Sequence, residues 1–264
     1  MELLDEQRIL NGLPAVVRDQ LHALSVLREV DSTNRFLLEA EGPGGAGIQA
    51  CVAETQTAGR GRRGRSWVSP FGANLYLSVS RSFSMQSESL QGLSLTVGVA
   101  VARAMRSIDV QGIALKWPND IQLGGKKLGG ILLEMSGGSG GPWRVVTGIG
   151  VNIHMPEDGG ANIDQPWTDL ASHGAHPGRN RLASRLLTEV IIAGGEFIET
   201  GFEAFRREWE LLDALHDREV MLQGDASSRR GIARGVDATG ALLLEVDGQR
   251  ERIVSGDISV REAR

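Results

Sequence analysis

A single cysteine, Cys51, among 264 residues rules out an internal disulfide. It lies in an apolar run, residues 48–53, and reads as a small buried strand residue of a cytoplasmic protein, since disulfides mark oxidising compartments. No apolar run approaches the roughly 18 residues that a membrane-spanning helix needs. The start, MELLDE, is acidic and lacks the basic opening of a secretory signal. Positive charge is in the minority, 28 Lys and Arg against 33 Asp and Glu for a net −5, which argues against a general nucleic-acid binder. There is no G-x-x-x-x-G-K-S/T loop, so a P-loop nucleotidase is excluded. The five histidines (His22, His154, His173, His176 and His216) are scattered. His173 and His176 sit beside Gly174 and Pro177 and read as surface residues, not metal ligands. No Ser–His–Asp or Cys–His arrangement and no internal repeat can be found.

What is there centres on residues 56–67, QTAGRGRRGRSW. Arg60, Arg62, Arg63 and Arg65 fall within six residues, with glycines between them and no acidic residue to neutralise them. Glycine permits close backbone approach to a ligand, and arginine offers a permanent charge and a planar donor fork for phosphate or carboxylate oxygens. Alone, such a run could be a solvated basic loop; its composition also suits a loop that orders around an anion. Gly59, Gly61 and Gly64 match the dinucleotide fingerprint formally, but that fingerprint requires a helix opening on the glycines. Here a turn and an alternating strand, residues 74–81, follow instead.

In chain order, residues 2–23 read as two short helices broken by Gly12 and Pro14, too short for a winged helix-turn-helix and without its basic face. A strand at residues 26–30 runs into Asp31-Ser32-Thr33-Asn34, four capping residues that open a helix. A glycine-rich loop (residues 41–47) precedes the strand at residues 48–53, where Gln56 marks the passage from strand to loop. Residues 90–108 carry apolar side chains at helical spacing. Residues 113–117 and 121–123 are strands around a Pro118-Asn119-Asp120 corner, and Gly124-Gly125 is a two-residue hairpin turn into a strand at residues 126–134. The strand at residues 143–153 contains Gly148 and Gly150, which suggest close approach by a ligand or another backbone. Residues 156–177 read as loop, residues 181–205 as helix with helical character through residue 215, and the rest as short strands with turns at residues 225–227, 237–240 and 247–248. The expected class is α+β: a mixed or antiparallel sheet flanked by helices, followed by a small β-barrel or sandwich. The expected division is a helical arm at residues 1–24, a catalytic domain at 25–214 and the barrel at 215–264.

The chemistry-bearing groups are cationic and lie at strand ends, a set suited to stabilising phosphate or mixed-anhydride oxygens. Their order, DSTN (residues 31–34), GRGRRGRSW (59–67), KWPND (116–120), KKLGGILLE (126–134) and GIGVN (148–152), with WELLD (209–213) and GALLLE (240–245), closely resembles the bacterial biotin protein ligases. The resemblance runs from residue 25 to the C-terminus and implies that family's catalytic fold with an SH3-like C-terminal barrel. It further implies an ATP- and magnesium-dependent reaction. Biotin and ATP form biotinyl-5′-adenylate, and a lysine of a biotin carboxyl carrier protein then takes the biotin.

Carried over motif by motif, Ser32, Thr33, Asn34 and Gln56 would line the biotin ureido end. Gly59, Gly130 and Gly148 would complete the biotin side, where Arg60 and Gly61 would border the biotin carboxylate and the adenylate phosphate. Arg62 and Lys127 would be the catalytic cations beside the carboxylate and α-phosphate. Arg65 and Trp67 would cover the nucleotide, with Lys116, Asn119, Asp120 and Asn152 on its side and Asp120 as a magnesium ligand. Arg261 would reach back towards ATP. Family members that repress transcription carry a winged helix-turn-helix before the catalytic domain. Asp31 comes too early to leave room for one, so a ligase without DNA binding is expected. Relatives dimerise through sheet edges, making a homodimer possible. Two other readings stay open: a lipoate or octanoate ligase or transferase of the same fold, and a biotin-responsive nucleic-acid-binding regulator. The arginine loop with KWPND speaks against the first. The acidic balance and the lack of aromatics among the arginines speak against the second.

Overall fold

Alternation along the chain decides which side chains the sheet buries, and the hairpins decide its order. The computed structural model describes residues 2–40, 47–85, 90–137, 142–156, 159–160, 163–223, 228–254 and 259–262. Two short helices, α1 (Glu6–Asn11) and α2 (Ala15–Arg18), precede strand β1 (Leu21–Leu27). Helix α3 (Thr33–Glu39) and strand β2 (Ile48–Ala53) follow. Next come β3 (Leu75–Phe83), helix α4 (Leu93–Arg106), β4 (Ile113–Lys116), β5 (Asp120–Leu123), β6 (Lys126–Gly137) and β7 (Trp143–Val151). These strands form one seven-stranded sheet in the order β1-β2-β3-β7-β6-β5-β4. Only β1 and β2 are parallel; every other neighbour pair is antiparallel. The mixed sheet expected from the hairpins is present. Gly124 (φ 59°) and Gly125 (φ 74°) make the tight β5–β6 turn, which needs two left-handed residues.

One face of the sheet carries Leu75, Leu77, Val79, Ile131, Ile149 and Val151 into the main core. Helix α4 closes that core, and Leu93, Val97, Val101, Ala104 and Met105 are all buried. Helix α5 (Arg179–Thr200) packs beside it, followed by α6 (Glu203–Leu212). The other face is covered by α3 over a small cluster of Leu37, Cys51 and Val146. Cys51 is fully buried in β2, as expected, and burial pushes its thiol up to about 12.

Two boundaries differ from the sequence reading. The first strand spans residues 21–27, not 26–30, because its parallel register with β2 starts at Leu21 opposite Ile48. His22 and Ser25 interrupt its apolar pattern, and Val30 makes only an isolated bridge with Gln56. The long C-terminal helix is two helices, ended at Gly201, whose φ of 67° a continuing helix does not allow. The glycine-rich loop expected at residues 41–47 lies outside the described residues except Gly47, and so does the turn at residues 225–227.

The N-terminal segment is tied into the body by a buried ion pair. Arg179 Nη1 lies 2.5 Å from Glu54 Oε2, and both side chains are nearly inaccessible. Glu54 Oε1 accepts the Leu4 amide, while the Arg179 guanidinium donates to Asn74 O and Glu2 O. Such a pair is stable only when its remaining hydrogen-bonding capacity is satisfied, and here the backbone satisfies it. After α6, strands β8 (Glu219–Gln223), β9 (Ser228–Val236), β10 (Leu242–Val246), β11 (Gln249–Ile253) and β12 (Ser259–Glu262) form a second, antiparallel sheet in the order β11-β10-β9-β8-β12. This small sheet is consistent with the SH3-like unit expected.

Candidate functional site

A cleft of about 1250 Å³ opens on the α3 face of the large sheet. That volume exceeds the usual range for one small molecule, roughly 300–1,000 Å³, and leaves room for two ligands. Its floor is a glycine track. The register aligns Tyr76, Gly150 and Gly130 in one row and Ser78, Gly148 and Leu132 in the next. A Cβ on Gly148 would come within 2.3 Å of Asn34 Oδ1, and one on Gly150 within 2.6 Å of the Trp67 ring. The close approach expected at these glycines is therefore made by Asn34 and Trp67. Burial raises the Tyr76 hydroxyl, which donates to Pro70 O.

One end of the cleft is neutral and polar. Ser32 caps α3, its side chain accepting from Arg35 N, so the cap expected from DSTN is present. Thr33 donates its backbone amide to Gln56 Oε1 at 3.0 Å, and its hydroxyl lies 3.2 Å from the same oxygen. Gln56 Nε2 donates to Ser69 Oγ. Ser78 Oγ sits 2.7 Å from Thr33 Oγ1 and 2.6 Å from Asn34 Oδ1. Ser32, Thr33 and Asn34 are each over nine-tenths buried.

The arginine loop closes over the cleft as a small hairpin. Gly61 N donates to Arg65 O at 2.7 Å and Trp67 N to Gly59 O at 2.9 Å, while Arg63 turns the tip at φ 60°. Three arginines hold it to three separate elements. Arg60 pairs with Glu134 on β6 at 3.0 Å. Arg62 Nη1 donates to Asn119 Oδ1 and Arg63 Nη1 to Gln223 O, both at 3.4 Å. Gly59 packs behind the loop, where a Cβ would meet Trp67 O at 2.6 Å. Trp67 lies over the glycine track with its indole N–H buried and lacking a hydrogen-bond acceptor among the described residues.

At the cationic end, Lys127 Nζ lies 2.6 Å from Asp120 Oδ1 and 5.7 Å from the Trp67 ring centroid. Asn119 locks the corner, its Nδ2 donating to Ile131 O and its carbonyl accepting Ile131 N. Residues 166–168 run alongside the start of β6. Lys127 N donates to Pro166 O, and Thr168 N donates to Lys127 O. Asn152 is 3 % exposed, and its Nδ2 donates to Thr168 O, so it fastens that segment from below. The far wall is Met221, Gln223 and Val260 of the small sheet.

Of the residues singled out in the sequence, all line this cleft except Gly59 and Arg261. Arg261 is described through its backbone, in β12 opposite Met221. Sequence reasoning missed Gln165, Pro166 and Trp167, placed in the wall by a segment that carries no strand pattern, and Met221 and Gln223. It also gave no role to Glu134, although the residue lies inside a quoted motif. Among the described residues, no group of three or more His, Cys, Asp or Glu could cage a metal. His173 and His176 are exposed, as expected. No helix there is long and apolar enough to cross a membrane.

Comparison with known proteins finds the biotin/lipoate A/B protein ligase family over residues 26–152 and the biotin protein ligase C-terminal domain over residues 216–261. The chain is 39% identical over 263 residues to the bifunctional ligase/repressor BirA of Escherichia coli K12, covering 100% of this chain and 80% of that protein. It is 35% identical over 265 residues to the biotin–[acetyl-CoA-carboxylase] ligase of Mycobacterium tuberculosis, covering 92% and 93%. Among solved structures, the biotin protein ligase of Aquifex aeolicus in complex with biotin and ATP superposes with a TM-score of 0.76 at 30% identity, over 92% of this chain and all of that one. A Leishmania major biotin protein ligase in complex with biotinyl-5-AMP superposes at 0.61 and 27% identity, over 89% and 99%.

Proposed function

The chain belongs to the biotin protein ligase family, and on that premise we propose that its cleft joins biotin to ATP and passes the biotin to a carrier lysine. The observation that carries this reading is the meeting of two cations at one corner. Arg62 reaches Asn119 and Lys127 reaches Asp120, adjacent residues of the same turn. Adenylation brings a carboxylate and a phosphate together, and two anions approach only if both charges are offset at the point of contact. The neutral end formed by Ser32, Thr33 and Gln56 suits a ureido group, which needs both donors and acceptors. Lys127, attached to a strand whose backbone is fixed on both sides, would exchange Asp120 for the α-phosphate and carboxylate oxygens. Lys116, Arg65 and Trp67 flank the nucleotide side, to which the family resemblance also assigns Arg261.

Magnesium is compatible with this corner. The ion needs few protein oxygens because it keeps waters and takes phosphate oxygens, so Asp120 alone would hold it, with Asn119 and Asn152 beside it. It would supply charge neutralisation for the leaving pyrophosphate. The arginine hairpin and Trp67 would then exclude water from the anhydride. The acceptor is the lysine of a biotin carboxyl carrier protein. We assign residues 1–24 to a docked arm, 25–214 to the catalytic domain and 215–264 to the small barrel, acting in the cytoplasm, with a homodimer open to a sedimentation measurement.

The test is intact-mass analysis of a biotin carboxyl carrier domain incubated with the protein, biotin, ATP and magnesium. A mass gain of one biotin, absent without ATP, is expected. Gain only with lipoate or octanoate would replace the reading with the related acyl ligase. Arg62→Ala is expected to fold and to release biotinyl-adenylate about 100-fold faster, the scale of a lost charge-assisted contact worth ~2.7 kcal/mol. Retention as tight as in the parent would remove Arg62 from its role.

A further inference from the structure

Glu134 touches two parts of the site that are otherwise separate. Its Oε1 lies 3.0 Å from Arg60 Nη1, at the base of the arginine hairpin. Its Oε2 accepts a hydrogen bond from Asn34 Nδ2 at 2.9 Å, at the start of α3. The side chain is about one-quarter exposed. Asn34 has little left to offer a ligand, since Nδ2 also donates to Leu132 O and Oδ1 is engaged by Ser78. From Ser78 the contacts continue through Thr33 and Gln56 to Ser69, whose hydroxyl donates to Trp67 O at the far base of the hairpin. Both feet of the hairpin are thus joined by one hydrogen-bonded path that passes through the neutral polar end of the cleft.

We propose that Glu134 is a positioning residue that couples occupancy of the polar end to closure of the arginine hairpin. The inference rests on the reading of this cleft as the biotin and ATP site. A carboxylate suits the post because it accepts from both partners at once and because this ion pair ties Arg60 to the sheet. Asn34 is held from the opposite side by Gly148, which leaves it no room to retreat. A ligand that orders Thr33 and Gln56 therefore also orders Asn34 and Glu134, and Glu134 in turn holds Arg60. Loss of the carboxylate frees the hairpin foot without removing any group that touches the reacting atoms.

The experiment measures three quantities for wild type, Glu134→Gln, Glu134→Ala, Arg60→Ala and the Arg60→Ala/Glu134→Ala double variant. These are the rate of biotinyl-adenylate formation, the rate of its release and the KM for biotin. Glu134→Gln keeps an acceptor for Asn34 and loses the charge beside Arg60. We expect the formation rate to stay within about twofold while release accelerates about tenfold, the factor that corresponds to ~1.4 kcal/mol. Glu134→Ala should accelerate release further and raise the KM for biotin. The double variant should release no faster than Glu134→Ala, because partners in one interaction are not additive. A merely structural role would lower the thermal midpoint and slow formation and release together. Unchanged release in both Glu134 variants, with wild type forming adenylate, overturns the coupling and leaves the ligase reading intact. Should Glu134→Ala not fold, Glu134→Gln and Arg60→Ala decide. If wild type forms no adenylate from biotin and ATP, the ligase reading falls and the coupling falls with it.

Discussion

The same three strands, β3, β7 and β6, present two very different faces. Towards α4 and α5 they show Leu75, Val79, Ile131, Ile149 and Val151, all buried in the core. Towards α3 they show Gly130, Leu132, Gly148 and Gly150, which line the cleft, with Ser78 and Glu134 behind them. Period-two alternation makes this division possible within one strand. The difference shows where apolar burial ends and placement begins. The core face lowers the free energy of the fold through area removed from water, roughly 25 cal/mol per Å². The cleft face gives up that burial, using glycines so that Asn34 and Trp67 can lie against the backbone.

Substitutions on each face should separate stability from chemistry. The largest effect is expected on the cleft side, where Lys127→Ala should lower the rate of adenylate formation about 1,000-fold, the upper scale for a removed charge-stabilising donor. Its thermal midpoint should change little, as read by calorimetry. A loss of both would mean that Lys127 holds the fold through Asp120. On the core side, Leu75→Ala should reduce unfolding free energy by about 3 kcal/mol, measured by denaturant titration. The kcat/KM of the folded fraction should remain within about twofold, since Leu75 does not line the cleft. A large drop would show that the two faces are not independent.

The smallest effect lies off both faces, at Asp213, which ends α6 beside β4. Burial raises its carboxyl to about 6; one oxygen accepts Leu215 N, while the other is buried without a hydrogen-bond partner among the described residues. The native state therefore binds this proton more tightly than the unfolded chain does. Its destabilising effect is absent below the ordinary carboxylate range, develops as pH rises towards 6, and persists above that. Asp213→Asn should gain on wild type by about 2 kcal/mol between pH 4 and pH 7, read from thermal midpoints across that range. A constant difference would show that the carboxyl titrates normally.

The local features were legible in the sequence because short-range chemistry fixes them. DSTN opens a helix because small polar side chains cap free amides, and Gly124-Gly125 turns a hairpin because both residues must be left-handed. The arginine loop, the KWPND corner and Lys127 were readable as one cationic set. Gly201 lies inside an apolar periodic stretch, so the pattern reads as one helix where there are two. The bounds of the first strand are not legible locally because its register is set by β2, more than twenty residues away. Trp167 joins the cleft through the backbone bonds of its neighbours Pro166 and Thr168 to Lys127, and Met221 and Gln223 through packing of the small sheet; neither leaves a local pattern. Glu134 stood within a recognised motif, yet its partners Asn34 and Arg60 are distant in sequence.

The far wall of the cleft belongs to the second sheet, through Met221, Gln223 and Val260, and Arg63 reaches across to Gln223 O. Any molecule bound between the walls therefore becomes part of the joint between the two units. Its binding free energy enters the unfolding equilibrium of both, by RT ln(1 + [L]/Kd). Occupancy is therefore expected to raise the melting temperature of the large sheet and of the small one together.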